Sequence, residues 1–212
     1  GAEDPIVTGD YTYIGPNALS VESFNNLVLL PGESFTDGKY FINFHFYAPN
    51  SNSGGFGCLQ KFDGDDSEWG MKALFNDGQA TIDAGEESAV EFEYNYNAWH
   101  KVHIEINLDL DTAKMFFDDN EIVSWQWSTG AYGTGSLNEF NAVCFFDAGE
   151  GGIPLMYFDH ILVTKGQWPD FDRPTDLAQP DPFYPWGIQL FWDFPGFNNF
   201  DPTWLSYSNP EI

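Results

Sequence analysis

Apolar and polar residues alternate in short segments along most of the first 165 residues of the chain. Between Tyr40 and Tyr47, for example, Ile42, Phe44 and Phe46 alternate with polar residues, which predicts a strand with one buried face. The same pattern predicts strands at 40–47, 56–62, 69–75, 80–84, 89–94, 100–107, 113–117, 121–127, 140–146 and 155–163. Because each strand has one apolar face, the pattern indicates two antiparallel sheets around a shared core.

The connections between these segments are typical of a β domain. Asn76-Asp77-Gly78 and Asp118-Asp119-Asn120 favour tight hairpins, since Asn, Asp and Gly tolerate the left-handed backbone that such turns require. The Ser, Asn and Gly residues of 50–55 predict a loop. No segment shows sustained helical periodicity, so the sequence predicts an all-β fold.

The composition changes after Lys165, where eight prolines and many aromatic residues punctuate the remaining chain. Proline excludes a central strand, whereas aromatic side chains gain too much from burial for an ordinary disordered tail. We therefore predict a sandwich at 1–165 and an irregular C-terminal extension at 166–212 that packs on the sandwich or on a partner. The candidate partner-binding residues of this extension are Trp168, Trp186, Trp192 and Trp204.

The charge of the chain excludes some partners. Its 33 acidic and 7 basic residues give a net charge of −26 over 212 residues. Such a charge repels nucleic acid and anionic lipid headgroups. No run approaches the about 20 apolar residues that span a bilayer, so we expect neither nucleic acid binding nor direct membrane insertion.

The two cysteines, Cys58 and Cys144, fall in different predicted strands. A disulfide is geometrically possible if these strands are neighbours. A pair of buried free thiols fits the sequence equally well.

Signatures of common enzymes are absent: the sequence contains no G-x-S-x-G, H-E-x-x-H or G-x-x-x-x-G-K. Glycosidases need two carboxylates close together. Glu91 and Glu93 alternate on one predicted strand, but Phe92 and Tyr94 occupy its core face, which favours a solvated pair. We expect a protein that is not an enzyme.

One segment of the sequence is a candidate metal site. The oxygen-rich segment from Asp63 to Glu68 suits calcium, although Asp, Gly and Ser also form ordinary strand connections, and we favour that interpretation. The four histidines lie on different predicted strands or on opposite faces of one, so they predict no metal cluster. They are His45, His100, His103 and His160.

Aromatic and polar residues mix in two short segments that suit sugar recognition, which uses flat apolar faces beside directional hydrogen bonds. The candidate ligand-binding residues are Trp69, Trp125, Gln126 and Trp127. Trp125 and Trp127 share one side of their predicted strand, and a buried core pair is the alternative interpretation.

Several segments together resemble the concanavalin-A-like, or laminin-G-like, module of secreted and surface proteins of Bacteroidetes-type bacteria. The resemblance covers residues 1 to about 164. It rests on Gly1-Ala2-Glu3-Asp4, Asn26-Leu27-Val28-Leu29, Gly38-Lys39-Tyr40, Ser67-Glu68-Trp69-Gly70-Met71, Trp99, Asn107-Leu108-Asp109-Leu110-Asp111, Ser124-Trp125-Gln126-Trp127-Ser128, Gly135-Ser136-Leu137-Asn138 and Tyr157-Phe158-Asp159.

The resemblance implies a two-sheet antiparallel jelly-roll sandwich that is exported to the cell exterior. It also implies a structural calcium at Asp159, with Asp4 as a second ligand, and a module whose first strand lies upstream of Gly1. The Asp159-His160 pair departs from the two acids usual in the family.

Three functions follow as hypotheses. The first is a non-catalytic extracellular binding or adhesion module that contacts glycans or another surface protein. The second is a structural subunit or accessory surface lipoprotein that docks through its C-terminal extension. The third, and least favoured, is a glycan hydrolase or lyase.

Overall fold

The computed structural model describes residues 5–22, 25–30, 34–50, 52–64, 66–147 and 155–166. These residues form thirteen strands and one turn of 3-10 helix. The strands are β1 (Ile6–Thr8), β2 (Ala18–Glu22), β3 (Leu27–Leu29), β4 (Lys39–Tyr47), β5 (Ser53–Lys61), β6 (Glu68–Asn76), β7 (Gln79–Asp83), β8 (Val90–Glu93), β9 (Trp99–Asn107), β10 (Thr112–Phe117), β11 (Asn120–Trp125), β12 (Ala142–Phe146) and β13 (Leu155–Lys165), and the 3-10 turn is Trp127–Thr129.

The strands form two antiparallel sheets. The seven-stranded sheet has the order β1-β2-β13-β4-β9-β10-β11, and the six-stranded sheet has the order β3-β12-β5-β6-β7-β8. Some neighbouring strands are far apart in the sequence, such as β13 and β4, or β12 and β5. The chain therefore crosses between the two sheets instead of adding neighbouring strands in sequence order. The predicted all-β jelly-roll sandwich is confirmed for this part of the chain.

A cluster of phenylalanine rings joins the two sheets. Phe44 is fully buried, and its ring centroid lies 4.7 Å from Phe56, 5.2 Å from Phe145 and 6.0 Å from Phe158. Phe44 and Phe158 belong to the seven-stranded sheet, whereas Phe56 and Phe145 belong to the six-stranded sheet. Each fully buried ring contributes roughly 1.5–3 kcal/mol relative to an exposed one, so this cluster supplies much of the force that holds the sheets together.

Two predicted hairpin turns are confirmed. Asp77 and Gly78 have φ of 49° and 78°, and Asp118 and Asp119 have φ of 45° and 65°. Two successive positive φ angles define the type I′ turn, whose twist matches the right-handed twist of the flanking strands. These turns set the registers of β6 with β7 and of β10 with β11.

The predicted loop at 50–55 is wrong in its second half, because Ser53, Gly54 and Gly55 begin β5. A Cβ at Gly55 would overlap the ring of Phe146, so this glycine leaves room for a neighbouring side chain rather than for a turn.

Other strand boundaries also differ from the pattern. The predicted strand 121–127 ends at Trp125, and the next turn is 3-10. The alternation does not predict β1, β2 and β3, which have only three to five residues. In β2, four successive residues from Ala18 to Val21 are buried, so no polar face marks the strand.

The cysteines lie on neighbouring strands, with Cys144 opposite Gly57 and Cys58 opposite Val143. Cys58 belongs to the core between the sheets, whereas Cys144 belongs to a second cluster on the outer face of the six-stranded sheet. Adjacent positions of the two strands point to opposite faces, which leaves both thiols free and buried.

Gly70 in β6 leaves room for the indole of Trp127. A Cβ at this position would overlap the six-membered ring of Trp127, which is fully buried. The carbonyl of Gly70 also accepts a hydrogen bond from the Trp125 indole at 3.2 Å.

We therefore expect Gly70→Ala to destabilise the protein by about 1–3 kcal/mol, the usual cost of overpacking. Gly9→Ala is the matched control, because a Cβ there meets only the Pro16 carbonyl oxygen at 3.5 Å. Urea denaturation measures both variants. Equal stability of the two would contradict the packing of Trp127 on Gly70.

A buried histidine links two connections at one end of the sandwich. The Nδ1 of His100 lies 2.7 Å from Asp118 Oδ2, and its Nε2 lies 2.7 Å from the Asn95 carbonyl oxygen. Desolvation, the largest single effect, lowers the pKa of His100, but the hydrogen bonds to Asp118 and Asn95 and the charge of Asp118 outweigh it, so the pKa is raised above 6.5. Burial acts to raise the pKa of Asp118, but the hydrogen bonds from His100 and the Lys101 N–H lower it by more. The net pKa of Asp118 is therefore below 3.8.

The pair therefore stabilises the fold most between about pH 4 and pH 6.5. The contribution of His100 is complete below 6.5 and is lost as the pH rises through its raised pKa. The contribution of Asp118 is complete above 3.8 and is lost as the pH falls through its lowered pKa.

We expect Asp118→Asn to cost more stability at pH 5 than at pH 9, as measured by urea denaturation at both values. Asp119→Asn is the control, because the Asp119 carboxylate is 77% exposed and pairs only with Lys101 at the surface. A loss for Asp118→Asn that does not change with pH would show that His100 is uncharged in the folded protein.

Candidate functional site

Two of the predicted ligand-binding tryptophans lie in the core. Trp127 is fully buried and Trp125 is 9% exposed, and their ring centroids are 6.2 Å apart. The indole N–H of Trp127 donates to the Glu139 carbonyl oxygen at 2.7 Å. The alternative interpretation, a core pair, describes their position, although Trp125 also lines an open groove beside β10 and β11.

The other two predicted residues lie apart from each other. Trp69 is half-buried on the outer face of the six-stranded sheet, where its ring packs edge-on against Phe146 at 5.5 Å. Gln126 lines an open groove of about 630 Å³ beside β10 and β11. Its Nε2 donates to Asp111 Oδ2 at 2.7 Å, so it is held by the protein itself. The four residues do not form one binding face.

Asp159, the predicted calcium ligand, is fully buried and accepts hydrogen bonds from three backbone N–H groups. Its Oδ2 accepts from Tyr13 at 2.7 Å and Ile14 at 2.9 Å, and its Oδ1 accepts from His160 at 2.6 Å. Burial raises the pKa of Asp159, although these three bonds oppose the rise.

The carboxylate of Asp159 therefore anchors the segment before β2 to the sheet. No group of three or more metal-binding side chains occurs among the described residues, and Asp4 lies outside them. Calcium at Asp159 stays a prediction that rests on the resemblance.

A bulge in β13 brings an extra polar side chain to the outer face of the seven-stranded sheet. Asp159 pairs with His45 and Leu162 pairs with Asn43, so β13 has one more residue than β4 between these pairs. His160 has a φ of 54°, which is unusual for a residue other than glycine. The side chains of the consecutive residues Asp159 and His160 therefore both lie on the outer face of the seven-stranded sheet, whereas a regular strand would place only one of them there.

Four aromatic residues form a partly exposed surface beside this bulge, which we call the tyrosine patch: Tyr11, Tyr13, Tyr47 and Trp99. Tyr11 stacks on Tyr47 at 4.6 Å, and Trp99 lies 5.5 Å from Tyr47 and 5.6 Å from Tyr13. Tyr11 is 49% exposed and Tyr13 is 44% exposed. These distances make the four rings one continuous apolar surface.

Two histidines support the patch from below, and one member of the patch has a strained backbone. Tyr13 stacks on His45 with centroids 3.8 Å apart, and His45 stacks on His160 at 5.6 Å. Burial lowers the pKa of His160 to about 4, which keeps it neutral near pH 7. Tyr11 has a φ of 48°, and a non-glycine residue in this region is retained only where its surroundings hold it.

The patch also offers hydrogen-bonding groups. Within the described part of the chain, the hydroxyls of Tyr11, Tyr13 and Tyr47 and the indole N–H of Trp99 make no hydrogen bond to the protein. Flat rings beside free donors and acceptors are the combination by which proteins bind sugars.

The remaining candidates do not form a site among the described residues. Glu91 and Glu93 are exposed on β8, an edge strand, as the solvated interpretation expects. The acidic segment from Asp63 is a tight turn in which Asp66 N–H donates to the Asp63 carbonyl oxygen at 3.1 Å. The four tryptophans of the C-terminal extension lie outside the described residues.

Sequence reasoning missed the tyrosine patch, although part of its signal is present. Tyr47 and Trp99 occupy the strand positions that alternate with core residues, so their rings are expected on an outer face. Tyr11 and Tyr13 belong to no strand, and only the fold brings them to the same place.

The fold defines the class of the protein: it is an antiparallel two-sheet jelly-roll sandwich. No family model matches the sequence, and no curated protein matches it either. Within the described residues, no helix has the length and apolar character needed to cross a membrane.

Solved structures resemble the chain at low identity. The botulinum neurotoxin serotype G binding domain is 12% identical over 77% of this chain, with a TM-score of 0.50, and this chain spans only 44% of that domain. An endo-β-1,4-glucuronan lyase from the fungus Trichoderma reesei is 15% identical over 75% of this chain and 85% of its own, with a TM-score of 0.46. An alginate lyase is 13% identical over 76% of this chain and 78% of its own, with a TM-score of 0.48. At such low identity the likeness concerns the fold alone, and a fold does not by itself determine a function.

We expect Asp159→Asn to release the segment that carries Tyr13. An amide has one acceptor oxygen where the carboxylate has two, so at least one backbone N–H loses its partner, at a cost of about 1–3 kcal/mol. Hydrogen exchange should become faster at whichever of the Tyr13, Ile14 and His160 amides lose their acceptor oxygen. Asp10→Asn is the control on the same segment, and unchanged exchange in Asp159→Asn would contradict the anchoring role.

Proposed function

We propose that this chain is an extracellular, non-catalytic module that binds neutral glycans through the tyrosine patch. The observation that carries the proposal is the continuous surface of Tyr11, Tyr13, Tyr47 and Trp99, whose rings are 4.6–5.6 Å apart. Their side-chain polar groups make no hydrogen bond within the described part of the chain. The resemblance to surface modules of Bacteroidetes-type bacteria supports a place at the cell exterior, where the module would serve adhesion.

The charge of the protein supports neutral glycans over acidic ones. The net charge is −26. Burial raises the pKa of Tyr157, which lies beneath the patch, and the nearby carboxylates of Asp10 and Glu22 raise it further. His160 is neutral near pH 7, and Lys101 is paired with Asp119. At the patch, a uronate would therefore meet negative charge, and the nearby basic side chains of the described residues are already paired or neutral.

A binding role agrees with the arrangement of the patch better than catalysis does. Its ring faces can stack on a sugar, whereas the carboxylates considered for glycosidase chemistry, Glu91 and Glu93, lie on the edge strand of the other sheet. A glycan hydrolase or lyase and a structural subunit are the alternatives that the experiment below separates from a binding module.

We expect Tyr11→Ala and Tyr13→Ala each to weaken glycan binding about tenfold, or about 1.4 kcal/mol, because each removes an exposed stacking face. A glycan array identifies the best neutral ligand, and titration calorimetry then measures its affinity for each variant. Tyr132→Ala is the matched control, since Tyr132 is 44% exposed at a different surface.

Three outcomes would contradict the proposal. Equal losses in Tyr132→Ala and Tyr11→Ala would remove the patch from binding, and a preference for uronate glycans would overturn the charge argument. Release of reducing ends or unsaturated products from a polysaccharide panel would show an enzyme.

A further inference from the structure

Two rings of the tyrosine patch each lie flat on a ring of β4. Tyr11 stacks on Tyr47 with centroids 4.6 Å apart and planes inclined by 24°. Tyr13 stacks on His45 with centroids 3.8 Å apart and planes inclined by 15°. Tyr11 is 49% exposed and Tyr13 is 44% exposed. Because one face of each ring lies against the sheet, the opposite face is turned to solvent.

The spacing of these two faces is set by β4. His45 and Tyr47 are two residues apart in one strand, so their side chains lie on the same side of the sheet, roughly 7 Å apart. Tyr11 and Tyr13 are also two residues apart, and their segment runs opposite to β4, with Tyr11 over Tyr47 and Tyr13 over His45. The two exposed ring faces therefore lie side by side along the strand.

Contacts to the sheet hold both rings in place. The Tyr13 N–H donates to Asp159 Oδ2 at 2.7 Å. Asp159 pairs with His45 on the neighbouring strand, so the backbone and the ring of Tyr13 are held at the same point of the sheet. The Tyr11 ring also lies 5.0 Å from the Tyr157 ring. Rings that are already ordered cost little conformational entropy when a ligand stacks on them.

Trp99 stands beside these two faces. It pairs with Tyr47 across β4 and β9, and its ring is inclined by 50° to the Tyr47 ring and by 60° to the Tyr13 ring. A ring at such an angle does not extend the flat surface of Tyr13. Trp99 therefore forms a wall at the side of the two stacking faces.

We propose that the tyrosine patch holds two sugar subsites, one on Tyr11 and one on Tyr13, and that its ligand is a linear glycan of two or more sugar residues aligned with β4. This inference rests on the proposed function. Two sugar rings joined through one oxygen atom can span faces that are roughly 7 Å apart. The apolar face of each sugar stacks on one tyrosine ring. A single sugar fills only half of the site.

Two subsites make the affinity depend on the length of the ligand. A disaccharide should bind about tenfold more tightly than its own monosaccharide, because its second ring stacks without a second loss of translational freedom. The probes are cellobiose, mannobiose, galactobiose and xylobiose, each compared with its monosaccharide. Titration of the full chain followed by nuclear magnetic resonance measures each affinity.

Variants of the two tyrosines distinguish two subsites from one. Tyr11→Ala and Tyr13→Ala should each weaken disaccharide binding about tenfold but monosaccharide binding only about twofold, because a single sugar still finds the other ring. Tyr11→Phe and Tyr13→Phe keep the ring faces and should retain most of the disaccharide affinity. Tyr132→Ala, at a different surface, is the control and should change neither affinity. Near-ultraviolet circular dichroism confirms that each variant is folded.

Three outcomes would overturn the inference and leave the proposed function intact. They are equal affinity for the disaccharide and its monosaccharide, a tenfold loss of monosaccharide binding in either alanine variant, and equal losses in the phenylalanine and alanine variants. The first two would show a single subsite, and the third would show binding through the hydroxyl groups instead of the ring faces. If none of the saccharides binds, the inference and the proposed function are both wrong.

Discussion

The contact between the two sheets through Phe44, Phe56, Phe145 and Phe158 is the constraint on which the rest of the molecule depends. Once these rings face inward, the alternation of each strand decides which residues face outward. Asn43 and His45 therefore lie on the outer surface beside Phe44. Any function of the sheets has to use these outward-facing side chains, because the inward-facing ones are buried in the core that holds the sheets together.

The tyrosine patch arises where regular alternation breaks down. The bulge in β13 places both Asp159 and His160 on the outer face, and the buried carboxylate of Asp159 then ties down the segment that carries Tyr13. This arrangement buries a charge-bearing group and holds His160 in a left-handed backbone conformation, both of which are costly. Their presence at one position, beneath exposed rings, is typical of a surface shaped for recognition.

The acidic surface sets a second limit on what the protein can bind. With 33 acidic and 7 basic residues, most of its surface repels anions, and the lysines of the seven-stranded sheet are engaged with carboxylates on the same sheet. Under the proposed function, recognition on this sheet therefore uses ring faces and neutral hydrogen-bonding groups. Since a fold does not by itself determine a function, the function of this protein depends on these side chains.

The sequence by itself determined the strands from β4 to β13, their main turns and an all-β fold of two antiparallel sheets, because alternation and turn residues act over a few positions. The jelly-roll winding was implied only by the family resemblance. Only the tertiary structure decided that Trp125 and Trp127 belong to the core, that Cys58 and Cys144 face opposite sides, and that Tyr11 joins Tyr47. These facts depend on contacts between residues far apart in the chain, where local pattern contains no information about which strands become neighbours.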